Sequence, residues 1–173
     1  MNKSGLILIL SVVLLGAQLY AADEPKVELF GGYQYTRIGG GDGLNANGWN
    51  GAITGYMNDW FGLEADFSGA YKSFGGANLN AHTYTFGPVF AAAGDRAKPF
   101  AHALFGGFHA SAGFQGEGAS VNGFAMMLGG GVDIKASDHI SVRAVQADWI
   151  LWRAEGITEK TNGRVSAGLV FRF

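Results

Sequence analysis

The sequence predicts an all-β fold: an eight-stranded antiparallel up-and-down transmembrane β-barrel, preceded by a cleaved helical signal peptide. Three observations point there. Glycine is abundant, at 29 of 173 residues, while only 15% of residues are charged, against about a quarter in ordinary soluble domains. After residue 22 no stretch reaches the roughly 18 apolar residues that a spanning helix requires. Segment after segment instead alternates with period two. A chain this apolar without helical spans satisfies its backbone in lipid by closing a barrel, where every N–H and C=O pairs between strands.

Residues 1–22 have the layout of a secretory signal. Lys3 supplies the positive start, Gly5 through Leu15 the apolar run, and Ala21 and Ala22 the small residues after which cleavage is expected. The barrel domain is then 23–173. With no cysteine, disulfide and thiolate chemistry are excluded. The formal charge of −2 leaves no basic footprint for nucleic acid.

Each strand follows from its alternation. Lys26–Ile38 sets Val27, Leu29, Tyr33 and Tyr35 outward against Glu28, Gln34 and Thr36. Trp49–Met57 sets Trp49, Ile53 and Met57 against Asn50, Ala52 and Thr54. Phe61–Tyr71 sets Phe61, Leu63, Ala65, Phe67 and Tyr71 against Glu64, Asp66, Ser68 and Ala70. His82–Ala92 sets Tyr84, Phe86 and Phe90 against Thr83, Thr85, Gly87 and Val89. Pro88 has no N–H for the ladder, so a bulge or an early end to pairing is expected there. Phe100–His109 is glycine-rich and its facing stays open. Phe124–Ile134 resumes the pattern. Ile140–Leu151 keeps it only if one residue bulges near Ala144–Val145, which puts Arg143, Gln146 and Asp148 inward. Arg164–Phe173 closes the chain, with Val165, Ala167, Leu169, Phe171 and Phe173 on one face and Arg164, Ser166, Gly168, Val170 and Arg172 on the other. Ten tilted residues suffice to cross a bilayer.

Short links are expected at Asn58-Asp59-Trp60, Gly94–Lys98 and Lys135–His139, and long ones at Gly39–Asn47, Lys72–Ala81, Ala110–Val121 and Arg153–Asn162. This alternation suits short periplasmic turns and long extracellular loops, with both mature termini periplasmic in the outer membrane of a Gram-negative-type bacterium. Tyr33, Tyr35, Trp49, Trp60, Tyr71, Tyr84, Trp149 and Trp152 fall where an aromatic girdle is expected. Inward positions collect charges of both signs: Glu28, Glu64, Asp66, Asp133 and Asp148 against Arg143, Arg164 and Arg172. A barrel of eight strands is just wide enough to be filled by side chains, so these charges are expected to pair. Glu64 and Arg143 sit at similar depth and are candidates to meet across the lumen.

The stretches Phe61-Gly62-Leu63-Glu64-Ala65, Phe86-Gly87-Pro88 and Leu128-Gly129-Gly130-Gly131-Val132-Asp133, with the terminal alternation ending at Phe173, resemble the OmpA-like and OmpX-like outer-membrane barrel families, without a periplasmic domain. The resemblance covers about 22–173. It implies that Val165, Leu169, Phe171 and Phe173 form the signal read by the outer-membrane assembly machinery. It also implies periplasmic chaperones during biogenesis and outer-membrane lipids, lipopolysaccharide included, as surroundings, and an internal Glu–Arg pair like that of OmpA-type domains.

No cofactor or metal is expected. His82, His102, His109 and His139 lack ligand spacing, and the glycine runs at 39–43 and 129–131 lack the strand-to-helix setting of a phosphate cradle. A structural or surface-interaction role is the leading expectation, with no extracellular partner identified and no enzymatic activity. A narrow porin gated by the internal salt bridges is one alternative. A lipid A-modifying enzyme is another, since His109-Ala110-Ser111 with Glu117 resembles the His-x-Ser pair and downstream Glu of lipid A deacylases, although Ala112 stands where that family places asparagine. A soluble lipocalin-type barrel, hinted at by Gly48-Trp49, needs the opposite polarity, apolar inside and polar outside.

Overall fold

In the computed structural model, residues 27–39, 43–92, 94–114 and 117–173 are described, with backbone alone at 74, 77, 114 and 117. The expected signal peptide at 1–22 lies outside them. Eight antiparallel strands form one closed barrel in sequence order: β1 (Val27–Ile38), β2 (Leu44–Tyr56), β3 (Phe61–Phe74), β4 (Ala77–Ala91), β5 (Ala97–Phe114), β6 (Glu117–Lys135), β7 (Ile140–Ala154) and β8 (Ile157–Arg172). Closure is made by β1 and β8, in register from Glu28 opposite Arg172 to Arg37 opposite Gly163. Phe173 finishes the seam: its N–H donates to Val27 O at 2.9 Å and its carbonyl accepts from Val27 N at 3.2 Å.

The side-chain polarity is inverted relative to a soluble barrel. Leu29, Ile53, Phe67, Phe86, Phe105, Leu128, Val145, Val165, Leu169 and Phe171 are exposed, while Glu64, Asp66, Asp133, Gln146 and Arg164 are buried. Period two places both sets: along one strand every second residue faces the lumen, and the apolar residues occupy the other positions. β5, whose facing the sequence left open, sends Phe100, His102, Leu104 and Phe108 inward and Phe105 outward.

β7 contains the bulge expected from its pattern. Val132 pairs with Val145 and Asp133 with Arg143, so the register shifts across Ala144, and Ala144 and Val145 are both exposed in succession. The extra residue returns Arg143 and Ser141 to the lumen. At Pro88 no register shift occurs: Phe86 opposite Phe105 and Val89 opposite His102 lie on one register, with the ladder to β5 interrupted only at 87–88. On the β3 side Pro88 stays opposite Leu63.

The expected long loops require correction: β2 begins at Leu44, within the link expected at Gly39–Asn47, and the other three are largely paired hairpin. β5 and β6 have 18 and 19 residues and pair from Ala97 opposite Ile134 to Phe114 opposite Glu117. β3 and β4 meet at Phe74 and Ala77 around Gly75 and Gly76, and β7 and β8 at Ala154 and Ile157 around Glu155 and Gly156. Positive φ at both central residues of each of these turns matches the twist of antiparallel strands. Outside lipid no apolar face is selected, so the alternation that reveals a strand fades from the sequence although the backbone still pairs. At the opposite end the turns are tight. Asn58 Oδ1 accepts from Trp60 N and Phe61 N, and Ser137 Oγ accepts from Ile140 N.

Deleting Ala144 removes the bulge and slips Arg143 to the lipid face, where an arginine costs about 2–4 kcal/mol at the midplane and less toward the rim. The expected outcome is a variant whose urea unfolding midpoint in detergent drops sharply and whose folded gel band no longer survives mild heating.

Candidate functional site: the charged lumen

All eight charged residues assigned to the lumen by sequence point into it. Arg164 is the most enclosed. Its Nη1 and Nη2 donate to Asp66 at 2.9 and 3.0 Å, its Nε donates to Asp148 at 2.7 Å, and Nη2 also reaches Met127 Sδ at 3.0 Å. Asp66 accepts further from Asn50 at 2.8 Å, so β2, β3, β7 and β8 are tied through one guanidinium. Charge-assisted bonds of this forked geometry are the strong ones. They are needed here, because an uncompensated charge in such a place is expensive.

Arg143 does not pair with Glu64, which corrects the expected cross-lumen contact. The bulge sets Arg143 opposite Asp133 on the adjacent strand, and the guanidinium donates to both carboxylate oxygens at 2.8 and 3.1 Å and to Gln146 at 2.7 Å. Its flat faces lie over Phe30 and Phe100 at 4.3 and 4.2 Å, a stacking that guanidinium favours. With each guanidinium nitrogen bonded to a near neighbour, Arg143 has no need to span the lumen.

Glu64 is satisfied instead by Thr54 at 3.0 Å and by His102, whose Nδ1 lies 2.6 Å from Glu64 Oε1. The other ring nitrogen, Nε2, lies 2.8 Å from Asp148 Oδ1. Gln146 donates to the second Asp148 oxygen at 2.9 Å. At the end that carries the termini, Glu28 Oε1 accepts from Lys98 Nζ at 2.8 Å and from Arg172 Nε at 3.0 Å. Lys98 also sits over the Tyr56 ring at 3.7 Å.

His102 and Lys98 are the two members that sequence reasoning missed. Lys98 ends the link expected at Gly94–Lys98, whereas β5 begins at Ala97, and His102 lies in the strand whose facing the sequence leaves open. A usable signal lies in the first half of the strand: Lys98, Phe100, His102 and Leu104 share one parity, while the other carries the smaller Pro99, Ala101 and Ala103 before Phe105.

Towards the hairpin end the lumen changes character. Leu104, Phe108, Ala125, Met127, Ile150 and Trp152 form an apolar cluster, with the Phe108 and Trp152 rings stacked at 5.0 Å. Trp152 therefore belongs to this interior plug and not to the girdle. It is 9% exposed, because it shares parity with Gln146, Asp148 and Ile150 on the far side of the bulge. The other girdle candidates, Tyr33, Tyr35, Trp49, Trp60, Tyr71, Tyr84 and Trp149, are exposed on the outside. Trp49 Nε1 donates to Tyr71 at 3.1 Å, and Trp60 stacks on Phe90 near the opposite rim. Val165, Leu169, Phe171 and Phe173 are exposed along the outer face of the seam strand.

The His109 ring nitrogen Nδ1 lies 2.8 Å from Asn122 Oδ1 on the paired strand. Ser111 is opposite Ser120 and Asn80. The histidine is thus oriented by an amide, and the side chain of Glu117, the third member of that resemblance, lies outside the described residues. Among the described residues no group of three or more His, Cys, Asp or Glu is placed to hold a metal ion.

Comparison with known proteins places this geometry in a recognised fold. No protein-family model matches the chain, and no curated protein sequence does. Solved structures do. Ail, the attachment invasion locus protein of Yersinia pestis, superposes with a TM-score of 0.63 at 19% identity over 87% of this chain and 99% of that one. Neisserial surface protein A gives 0.72 at 11% identity over 85% and 97%. The N-terminal β-barrel domain of Pseudomonas aeruginosa OprF gives 0.59 at 12% identity over 87% and 98%. The chain has the fold of the small eight-stranded outer-membrane barrels.

A lumen crossed by bonded charges below and stacked aromatics above is expected to carry no continuous water column. Planar-bilayer recordings of the refolded protein are expected to show no discrete openings, in the wild type or in Arg143→Ala. Openings in either contradict a sealed lumen.

Proposed function

We propose that this chain is an outer-membrane protein that acts at the cell surface through its hairpin end, using the barrel as a closed anchor. The supporting observation is the division of its surfaces. The outer face is a band of exposed Leu, Ile, Val and Phe bordered by Tyr and Trp, which fits a bilayer about as thick as ten tilted residues. On the inner face the charged residues bond one another. What remains for contact with other molecules is the pair of rims.

The rims differ. At the end carrying the termini the strands close in short turns. At the other end paired hairpins project, the longest being β5–β6. Short turns inside and long projections outside is the usual arrangement of such barrels, so the termini are assigned to the periplasm and the hairpins to the exterior.

Lipopolysaccharide and the other outer-membrane lipids are the expected surroundings of the band. The alternate residues Val165, Leu169, Phe171 and Phe173 are the expected contact for the assembly machinery, after delivery by periplasmic chaperones. The neighbours on this fold lend support. One is called an attachment invasion locus protein and has been solved with the heparin analogue sucrose octasulfate, and another is called a surface protein.

An epitope inserted between Gly75 and Gly76, at the tip of the β3–β4 hairpin, tests the assignment. Antibody is expected to label intact cells. Labelling only after permeabilisation overturns the orientation and with it the surface role.

A further inference from the structure

His102 is held between two carboxylates in a way that restricts its chemistry. A neutral imidazole has one donor and one acceptor nitrogen. With Glu64 Oε1 at 2.6 Å from Nδ1 and Asp148 Oδ1 at 2.8 Å from Nε2, a neutral ring between ionised carboxylates makes one hydrogen bond and sets a nitrogen lone pair against an oxygen lone pair. Both contacts become hydrogen bonds only if a second proton is present, on the ring or on one acid.

The surroundings choose the ring. The second oxygen of Asp148 already accepts from Arg164 Nε and Gln146 Nε2, and the second oxygen of Glu64 accepts from Thr54. Donors converge on both acids, which is the environment of an ionised carboxylate. The charge count of the lumen agrees. Its acids are Glu28 on β1, Glu64 and Asp66 on β3, Asp133 on β6 and Asp148 on β7. Its fixed cations are Lys98 on β5, Arg143 on β7, and Arg164 and Arg172 on β8. Among the described residues β2 adds only the Tyr56 phenol, and the inward residues of β4, such as Thr83, Thr85 and Val89, are uncharged. Five acids thus face four fixed cations, and a proton on His102 makes the fifth.

We propose that His102 is an imidazolium in the folded barrel, the cation that completes the neutrality of the lumen, and that its proton is the removable component of the seal. The ring bridges β3 to β7 from β5, so losing the proton breaks a link across the lumen and leaves a net negative charge inside. The four fixed cations have no comparable way to change state near neutral pH. Acid conditions keep the bridge, whereas alkaline conditions withdraw it. This inference stands on the lumen geometry and is independent of the surface role.

The test uses full-length mature protein, without a histidine tag, refolded in detergent micelles. His82, His109 and His139 lie outside the lumen, so H82Q/H109Q/H139Q leaves His102 as the sole histidine without touching the network. Nitrogen-15 NMR at pH 7 is expected to show both ring nitrogens protonated, and a neutral tautomer overturns the proposal. Urea unfolding midpoints measured from pH 7 to pH 10 give a second readout. The unfolded ring sheds its proton near pH 6.5, so a folded barrel that keeps it loses stability as pH rises. The triple variant is expected to show that decline, and His102→Gln to lack it from a lower starting midpoint. A flat profile in the triple variant, or equal declines in both, overturns the proposal. If His102→Gln does not fold, the NMR result and the triple variant's profile decide.

Discussion

A closed sheet of eight strands has an interior about as wide as the side chains that enter it, and that dimension governs the rest of the molecule. Every second residue of each strand must enter. In lipid the outward positions are taken by apolar groups, which leaves the interior to the polar ones. Arg164 shows the consequence most fully. It is enclosed, and each of its guanidinium nitrogens meets a carboxylate oxygen of Asp66 or Asp148. Such a group is stable only while its partners remain, and its partners only while it remains.

From that constraint the other features follow. The bulge in β7 exists where it returns Arg143 to the lumen and lets it lie between Phe30 and Phe100. His102 spans what the arginines do not reach. Above the charges, Phe108 and Trp152 fill the remaining width with aromatic area, so the lumen is sealed twice by different means. The charged interior is engaged with itself, and under the proposed surface role contact with other molecules falls to the hairpins.

The part of this that was legible in the sequence is the part under lipid. Phe61–Tyr71 and Arg164–Phe173 state their inward and outward faces without ambiguity, because a bilayer tolerates neither a misplaced charge nor a break in pairing. Eight of the lumen charges could therefore be assigned to the interior one by one, Lys98 and His102 on the ambiguous β5 excepted, and the bulge could be placed from the broken parity between Arg143 and Gln146. Partnerships were not legible. Parity says that Glu64 and Arg143 both point inward, but which groups meet depends on register between strands distant in sequence, and both found closer partners. Trp152 was misassigned because an indole suits a membrane rim and a barrel interior equally well. The hairpin extensions were read as loops, since Lys72–Ala81 and Ala110–Val121 pair through backbone with little apolar patterning to advertise it.

The central claim is that the lumen charges hold one another in place, and a double-mutant cycle on Arg164 and Asp66 tests it most directly. Arg164→Met leaves Asp66 with no cation, and Asp66→Leu leaves Arg164 with Asp148 as its one carboxylate; the first is expected to lower the unfolding free energy by about 3–5 kcal/mol and the second by less. The double variant is expected to lose less than the two singles added together, with a coupling of more than about 1 kcal/mol. Additive losses, or single losses below about 1 kcal/mol, contradict a mutually dependent lumen.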